Sequence, residues 1–132
     1  GMISQAVADF RQALACWQPT GNLAMIARRL RDLGAALGQQ ANYPEARDCY
    51  EQALRLFAQG QEPSQQAVVR MNLGNIYLRL GQPEQALALY RLAEPVFRKT
   101  CDEPQLTLLY HNLAEAQAAL PQPKPVKKFL RA

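Results

Sequence analysis

The most constraining feature of this chain is that it repeats itself. Shifted by 40 residues, Leu33-Gly34 falls on Leu73-Gly74 and then on Leu113-Ala114. Ala46, Tyr50, Ala53 and Phe57 fall on Ala86, Tyr90, Ala93 and Phe97, and the same step backwards meets Ala6, Phe10, Ala13 and Trp17. Small and aromatic residues recurring in step mark a stack of similar supersecondary units, none of which can bury its own apolar face alone.

Within each unit the spacing is helical. At 100° per residue, Val69, Ile76, Tyr77 and Leu80 lie within about 60° of Leu73, one core stripe. Ala86, Leu89, Tyr90, Ala93 and Phe97 form another, at steps of three and four. Turn residues punctuate the pattern: Pro19-Thr20-Gly21-Asn22, Asn42-Tyr43-Pro44-Glu45, Pro63-Ser64, Gly81-Gln82-Pro83 and Asp102-Glu103-Pro104. Glycine suits the left-handed position after a helix, and proline suits the first turn of the next. Ser64 and Asp102 are expected N-caps. These signals predict seven helices, over 3–17, 22–39, 43–58, 64–80, 83–99, 104–120 and 124–131. Pro95 is expected to kink the fifth or end it early.

Composition narrows the function. The chain has 132 residues, 48% of them apolar, and the net charge of +4 is local. Lys124, Lys127, Lys128 and Arg131 sit in the last nine residues, leaving 11 basic and 11 acidic residues before them. A neutral body lacks the broad basic face of a nucleic-acid binder. No apolar run is long enough to span a membrane. Cys16, Cys49 and Cys101 form no CxxC pair, so zinc and redox readings fail. They are expected to fill small apolar gaps in a protein of a reducing compartment, the cytoplasm. The N-terminal residues do not read as a secretory leader.

The unit 71–96, MNLGNIYLRLGQPEQALALYRLAEPV, resembles the tetratricopeptide repeat at Leu73, Gly74, Tyr77, Gly81, Ala86, Tyr90 and Ala93. The unit before it matches at Leu33, Gly34, Ala46, Tyr50 and Ala53, with Leu37 in place of the tyrosine. The unit after keeps Leu113, with Ala114 for the glycine and Gln117 for the tyrosine. The resemblance extends over about residues 3–120. The 40-residue period is similar to the longer-helix variant of kinesin light chains. The resemblance implies an all-α fold, a right-handed superhelix of antiparallel helix pairs in one domain over 1–132. It comprises helix 3–17, repeats 22–58 and 64–99, and a partial repeat 104–131 with a basic tail. The chain then begins with a second helix that lacks its first-helix partner.

The resemblance further implies that the first helix of each unit lines a concave groove. Arg28 and Arg31, then Val68, Met71, Asn72, Asn75, Leu78 and Arg79, then Leu108, His111, Asn112 and Glu115 match groove-facing places. Asn72 and Asn75 lie about 100° and 160° from the core stripe. An amide offers both donor and acceptor, suited to a peptide backbone, while arginines favour an acidic partner. The competing reading is that these amides tie helices together and the arginines are a solvated face. The lysine–asparagine clamp of chaperone-binding members is absent, its basic places reading Arg31, Met71 and His111.

His111 with Glu115 lacks a nucleophile, and no catalytic, metal or cofactor site is expected. The expected function is a non-catalytic module holding a protein or peptide. The alternatives are a homodimerisation domain, in which the following pair covers the Val7, Phe10, Leu14 and Trp17 face of the first helix and its outer side stays apolar, and a regulatory subunit of an enzyme or transcription factor. The tail reads as a terminal turn whose Val126, Phe129 and Leu130 cover the last helix pair, or as a basic segment for an anionic surface.

Overall fold

The computed structural model describes residues 1–121. Six α-helices follow one another: α1 (Met2–Trp17), α2 (Leu23–Gln39), α3 (Tyr43–Gln59), α4 (Pro63–Arg79), α5 (Pro83–Lys99) and α6 (Glu103–Ala119). A short 3₁₀ turn, Gln18–Thr20, follows α1. The expected seventh helix, 124–131, lies outside the described residues, as does the basic tail. Each helix packs chiefly on its neighbours in sequence, most extensively α2 on α3 and α4 on α5. The architecture is an all-α stack of helix pairs, an α-α solenoid. No described helix is long and apolar enough to cross a membrane.

The turns share one solution. Ala41, Gln61, Gly81 and Cys101 each follow a helix with positive φ, 61°, 53°, 77° and 54°. The next amide reaches back to close the last turn, as in Asn42 N–H to Leu37 O at 2.9 Å and Gln82 N–H to Tyr77 O at 2.9 Å. A proline in the first turn of the following helix then restarts the chain without losing a needed donor. Of these four turns only the one at Gly81 places glycine in the left-handed position, so the motif rests on the whole turn rather than on one residue type.

Three expectations need correction. α4 begins at Pro63, so Ser64 sits inside the first turn and does not cap it. Asp102 does cap, accepting the Gln105 amide at 3.3 Å. α5 runs through Pro95 to Lys99. The ring is on the exposed side of the helix, beside the exposed Arg91, where a carbonyl freed by proline costs least because solvent can reach it. Cys49 is buried as expected, but Cys16 and Cys101 are exposed, the latter in a turn. The following pair covers one face of α1, as expected: Val7 is buried, and Phe10, Leu14 and Trp17 pack half-buried on the first core, while Met2 and Ile3 stay exposed.

Two core clusters meet along α4. One gathers Leu33, Leu37, Tyr50, Phe57, Leu73 and Ile76 with their neighbours, and the other Met71, Tyr90, Phe97, Leu109 and Ala116 with theirs. Tyr77 packs against both. The helix pairs interlock through an absent side chain. A Cβ on Gly34 would lie 2.9 Å from the ring of Tyr50, and one on Gly74 would lie 2.6 Å from the ring of Tyr90. The repeated Leu-Gly and Tyr are therefore the two halves of one close crossing. Ala46, Ala53, Ala86 and Ala93, all fully buried, keep the rest of the approach equally tight.

Candidate functional site

α2 and α4, the first helices of two successive pairs, frame an open hollow of about 480 Å³. It exists because α2 offers little bulk there. Ala35 and Gly38 face it, and a Cβ on Gly38 would lie 3.3 Å from Ile76 Cδ1 of α4. The ring of Tyr50 comes up from α3 beneath them, and Tyr43 closes one edge. Gln39 and Arg79, both exposed, also line it. Asn72 and Asn75 line it from α4.

The polar groups are few and directed. Asn75 accepts a hydrogen bond at Oδ1 from the Tyr90 hydroxyl, which leaves its Nδ2 donors without a partner among the described residues. Asn72 makes no side-chain hydrogen bond among those residues. Arg79 is the cation of the hollow, and no carboxylate among the described residues lines it. Burial, with Cys49 and Asp32 against an opposing Arg31, pushes the Tyr50 phenol well above its ordinary range. The Tyr90 phenol is pushed up by burial and Glu115, opposed by Arg79. Both hydroxyls are neutral at neutral pH, so neither offsets the positive charge of Arg79.

The hollow unites only three of the expected groove residues: Asn72, Asn75 and Arg79. Arg28 is exposed elsewhere on α2. Arg31 is a strut between first helices, its Nη1 donating to Gln65 Oε1 on α4 at 2.6 Å and its Nη2 to Asp32 at 3.3 Å. Met71, expected in the groove, is only 4% exposed and shares the second core with Leu109 and Ala116 of α6. Positions 31 and 71 thus face along the stack rather than into the concavity. Val68 and Leu78 are half-buried against that same core. His111, Asn112 and Glu115 lie on α6, with His111 Nε2 3.7 Å from Glu115. Among the described residues no group of His, Cys, Asp and Glu is placed to hold a metal ion. The residues that sequence reasoning missed are Ala35, Gly38, Gln39 and Tyr43. The 40-residue shift places the first three on Asn75, Leu78 and Arg79, which is the signal that finds them.

The strut has an incomplete copy. Gln105 occupies in α6 the place of Gln65, but Met71 replaces the arginine, and Gln105 Oε1 is buried without a partner among the described residues. A buried unpaired acceptor costs about 1–3 kcal/mol. Gln105→Met is therefore expected to raise stability by about 1 kcal/mol in urea unfolding, and a lowered midpoint would contradict this account.

Comparison with known sequences agrees with the geometry. Two sequence profiles, both described as tetratricopeptide repeat, match residues 1–59 and 67–94. These spans take in α1 to α3 and most of the α4–α5 pair. No curated protein matches the sequence significantly. With its interlocked pairs and these two matches in succession, the chain belongs to the tetratricopeptide repeat family.

Proposed function

We propose that this protein is a non-catalytic module that holds an acidic peptide, extended or helical, in the hollow between α2 and α4. Repeats of this family are in general protein–protein interaction modules. The observation that carries the specific reading is the lining itself: amide donors of Asn72 and Asn75 without partners among the described residues, beside one arginine and no lining carboxylate among those residues, around an apolar floor. Amides pair with a peptide backbone whatever its side chains. The guanidinium of Arg79 selects a carboxylate and binds it through two parallel hydrogen bonds. The volume falls within the roughly 300–1,000 Å³ of ordinary ligand pockets, enough for one large apolar side chain. The 40-residue period, longer than the common one of about 34, supports grouping these repeats with the kinesin-light-chain variety.

The test starts from a random peptide display library selected on the intact protein. The selected peptides are expected to be rich in Asp and Glu around one apolar or aromatic residue. Their affinity should fall at least tenfold with Arg79→Glu, which is about 1.4 kcal/mol, and several-fold with Asn72→Ala. Both positions are away from the core, so melting should move by no more than about 0.5 kcal/mol in stability. Asn75 is left intact because its oxygen serves Tyr90. Peptides that bind both variants as tightly as the parent would remove the hollow from consideration.

A further inference from the structure

The two repeated tyrosines sit in the same seat, but they differ in what their hydroxyls meet. Atoms Cε1, Cδ1 and Cζ of the Tyr50 ring face Gly34, and the same three atoms of Tyr90 face Gly74. Tyr90 donates its hydroxyl to Asn75 Oδ1. One unit earlier the 40-residue shift puts Ala35 where Asn75 stands, and a methyl group accepts nothing. Tyr50 makes no side-chain hydrogen bond among the described residues, although it is only 3% exposed. We propose that the Tyr50 hydroxyl is a specificity-determining donor of the hollow, and that a bound peptide lays an oxygen acceptor over Ala35 to take its hydrogen bond, in the place that Asn75 fills for Tyr90.

The place of the missing amide is what points to a ligand. Ala35 is exposed, and both it and Tyr50 line the hollow between α2 and α4, whereas Tyr90 is fully buried and does not. The amide is thus absent at the one of the two tyrosines that a molecule in the hollow can touch. Asp32 is close enough for its charge to act on Tyr50, but it is engaged by Arg29 at 3.4 Å and by Arg31 at 3.3 Å. The remaining groups of the hollow ask for the same partner. Asn75, its oxygen already taken by Tyr90, has only N–H groups to offer, and Arg79 is a donor by nature.

The chemistry required is a carbonyl-type oxygen, from a side-chain carboxylate or carboxamide or from the main chain of the peptide. An apolar side chain pressed directly over Ala35 would seal the phenol from water and leave it unpaired, which costs more than an exposed hydroxyl does. Selection against such a residue is as much a part of specificity as the bond itself. The inference rests on the reading of the hollow as a peptide site, and adds the group that decides what faces its floor.

The test uses the full 132-residue chain and peptides selected on it from the display library, with Arg79→Glu as the separate measure of the hollow. Tyr50→Phe is expected to weaken those peptides about fivefold or more, because a donor of the site is lost. It should leave the melting temperature within about 2 °C, since no internal partner is lost. Tyr90→Phe, which releases Asn75, should lower it further. Ala35→Asn supplies the acceptor from within the chain. It should weaken the peptides too, and raise the melting temperature more in the parent than in the Tyr50→Phe chain. Alanine scanning of the peptide then names the source of the oxygen. A side chain whose loss costs affinity on the parent but not on the Tyr50→Phe chain supplies it, and equal losses on both chains throughout assign it to a main-chain carbonyl. Peptides lost by Arg79→Glu but bound unchanged by Tyr50→Phe overturn this inference and leave the hollow in place. Peptides indifferent to both changes overturn the inference and the functional reading together. A melting shift from Ala35→Asn that is the same with and without the Tyr50 hydroxyl also overturns the inference, and needs no peptide.

Discussion

Gly74→Leu is expected to lower the melting temperature by about 10 °C or more, the largest effect of any single change at the helix crossings. The first added atom alone would lie 2.6 Å from Tyr90 Cε1, closer than real side chains approach. The ring has nowhere to go, since Tyr90 is fully buried and its hydroxyl is held by Asn75. The helices must therefore separate, opening the contacts around Ala86 and Ala93 as well. Overpacking typically costs about 1–3 kcal/mol, and occasionally more. At this chain length each kcal/mol is roughly 3–6 °C, and total stability is only about 5–15 kcal/mol. Gly34→Leu should be damaging but less so, because the clearance to Tyr50 is 2.9 Å. The double change Gly74→Leu with Tyr90→Ala should recover part of the loss, with leucine occupying the space of the ring. Thermal unfolding followed by circular dichroism reads all three. A Gly74→Leu chain that melts with the parent would mean that the helices do not cross where this account has them.

The helices were legible in the sequence because the crossing imposes its demands at fixed intervals. Leu73, Gly74, Ala86, Tyr90 and Ala93 recur because each must be apolar, absent or small for two helices to approach. That requirement repeats with the unit, so a simple shift of the chain against itself exposes it. The concave site was legible only in part, and the reason is geometric. A single core stripe assigns every helix one buried face, whereas α4 touches α3 and α5 and, less extensively, α2 and α6. Met71 lies on the far side from Leu73 by helical angle, yet α6 buries it there. Arg31 occupies the same place one unit earlier and is spent on Gln65. Helical angle alone cannot separate a position facing the cavity from one facing the next unit. Ala35 and Gly38 were passed over because they carry no chemistry of their own. They matter by leaving space, and space shows only when the opposite wall is known.

Alkaline solution should unfold this protein well before it affects the backbone, beginning about pH 9. Three weak acids share the core. Burial, with Glu45 and Asp48 nearby against an opposing Arg11, pushes the Cys49 thiol up from 9.0 to about 11. Tyr50 and Tyr90 are raised further above their ordinary value near 10, chiefly by burial, with the charges already named as secondary causes. In each case the folded state holds its proton more tightly than the unfolded chain does. The stability this confers is full below the unfolded pKa values, near 9 for the thiol and 10 for the phenols. It declines as pH climbs from there toward the folded values, because only the unfolded chain can release the proton. For Cys49 alone the loss is on the order of 2–3 kcal/mol, and the two tyrosines add to it above pH 10. The sum is comparable to the whole stability of a small domain. Helicity should therefore collapse cooperatively between about pH 10 and 12, with the phenolate absorbance of the buried pair rising in the same step. Cys49→Ala should leave the onset nearer 10, since the first of the three acids is gone. The discriminating comparison is between the two signals. If all the phenolate absorbance develops while the helical signal is still intact, Tyr50 and Tyr90 are reachable by solvent in the folded state. The close Gly34–Tyr50 and Gly74–Tyr90 crossings would then have to be abandoned, and with them the floor of the hollow between α2 and α4.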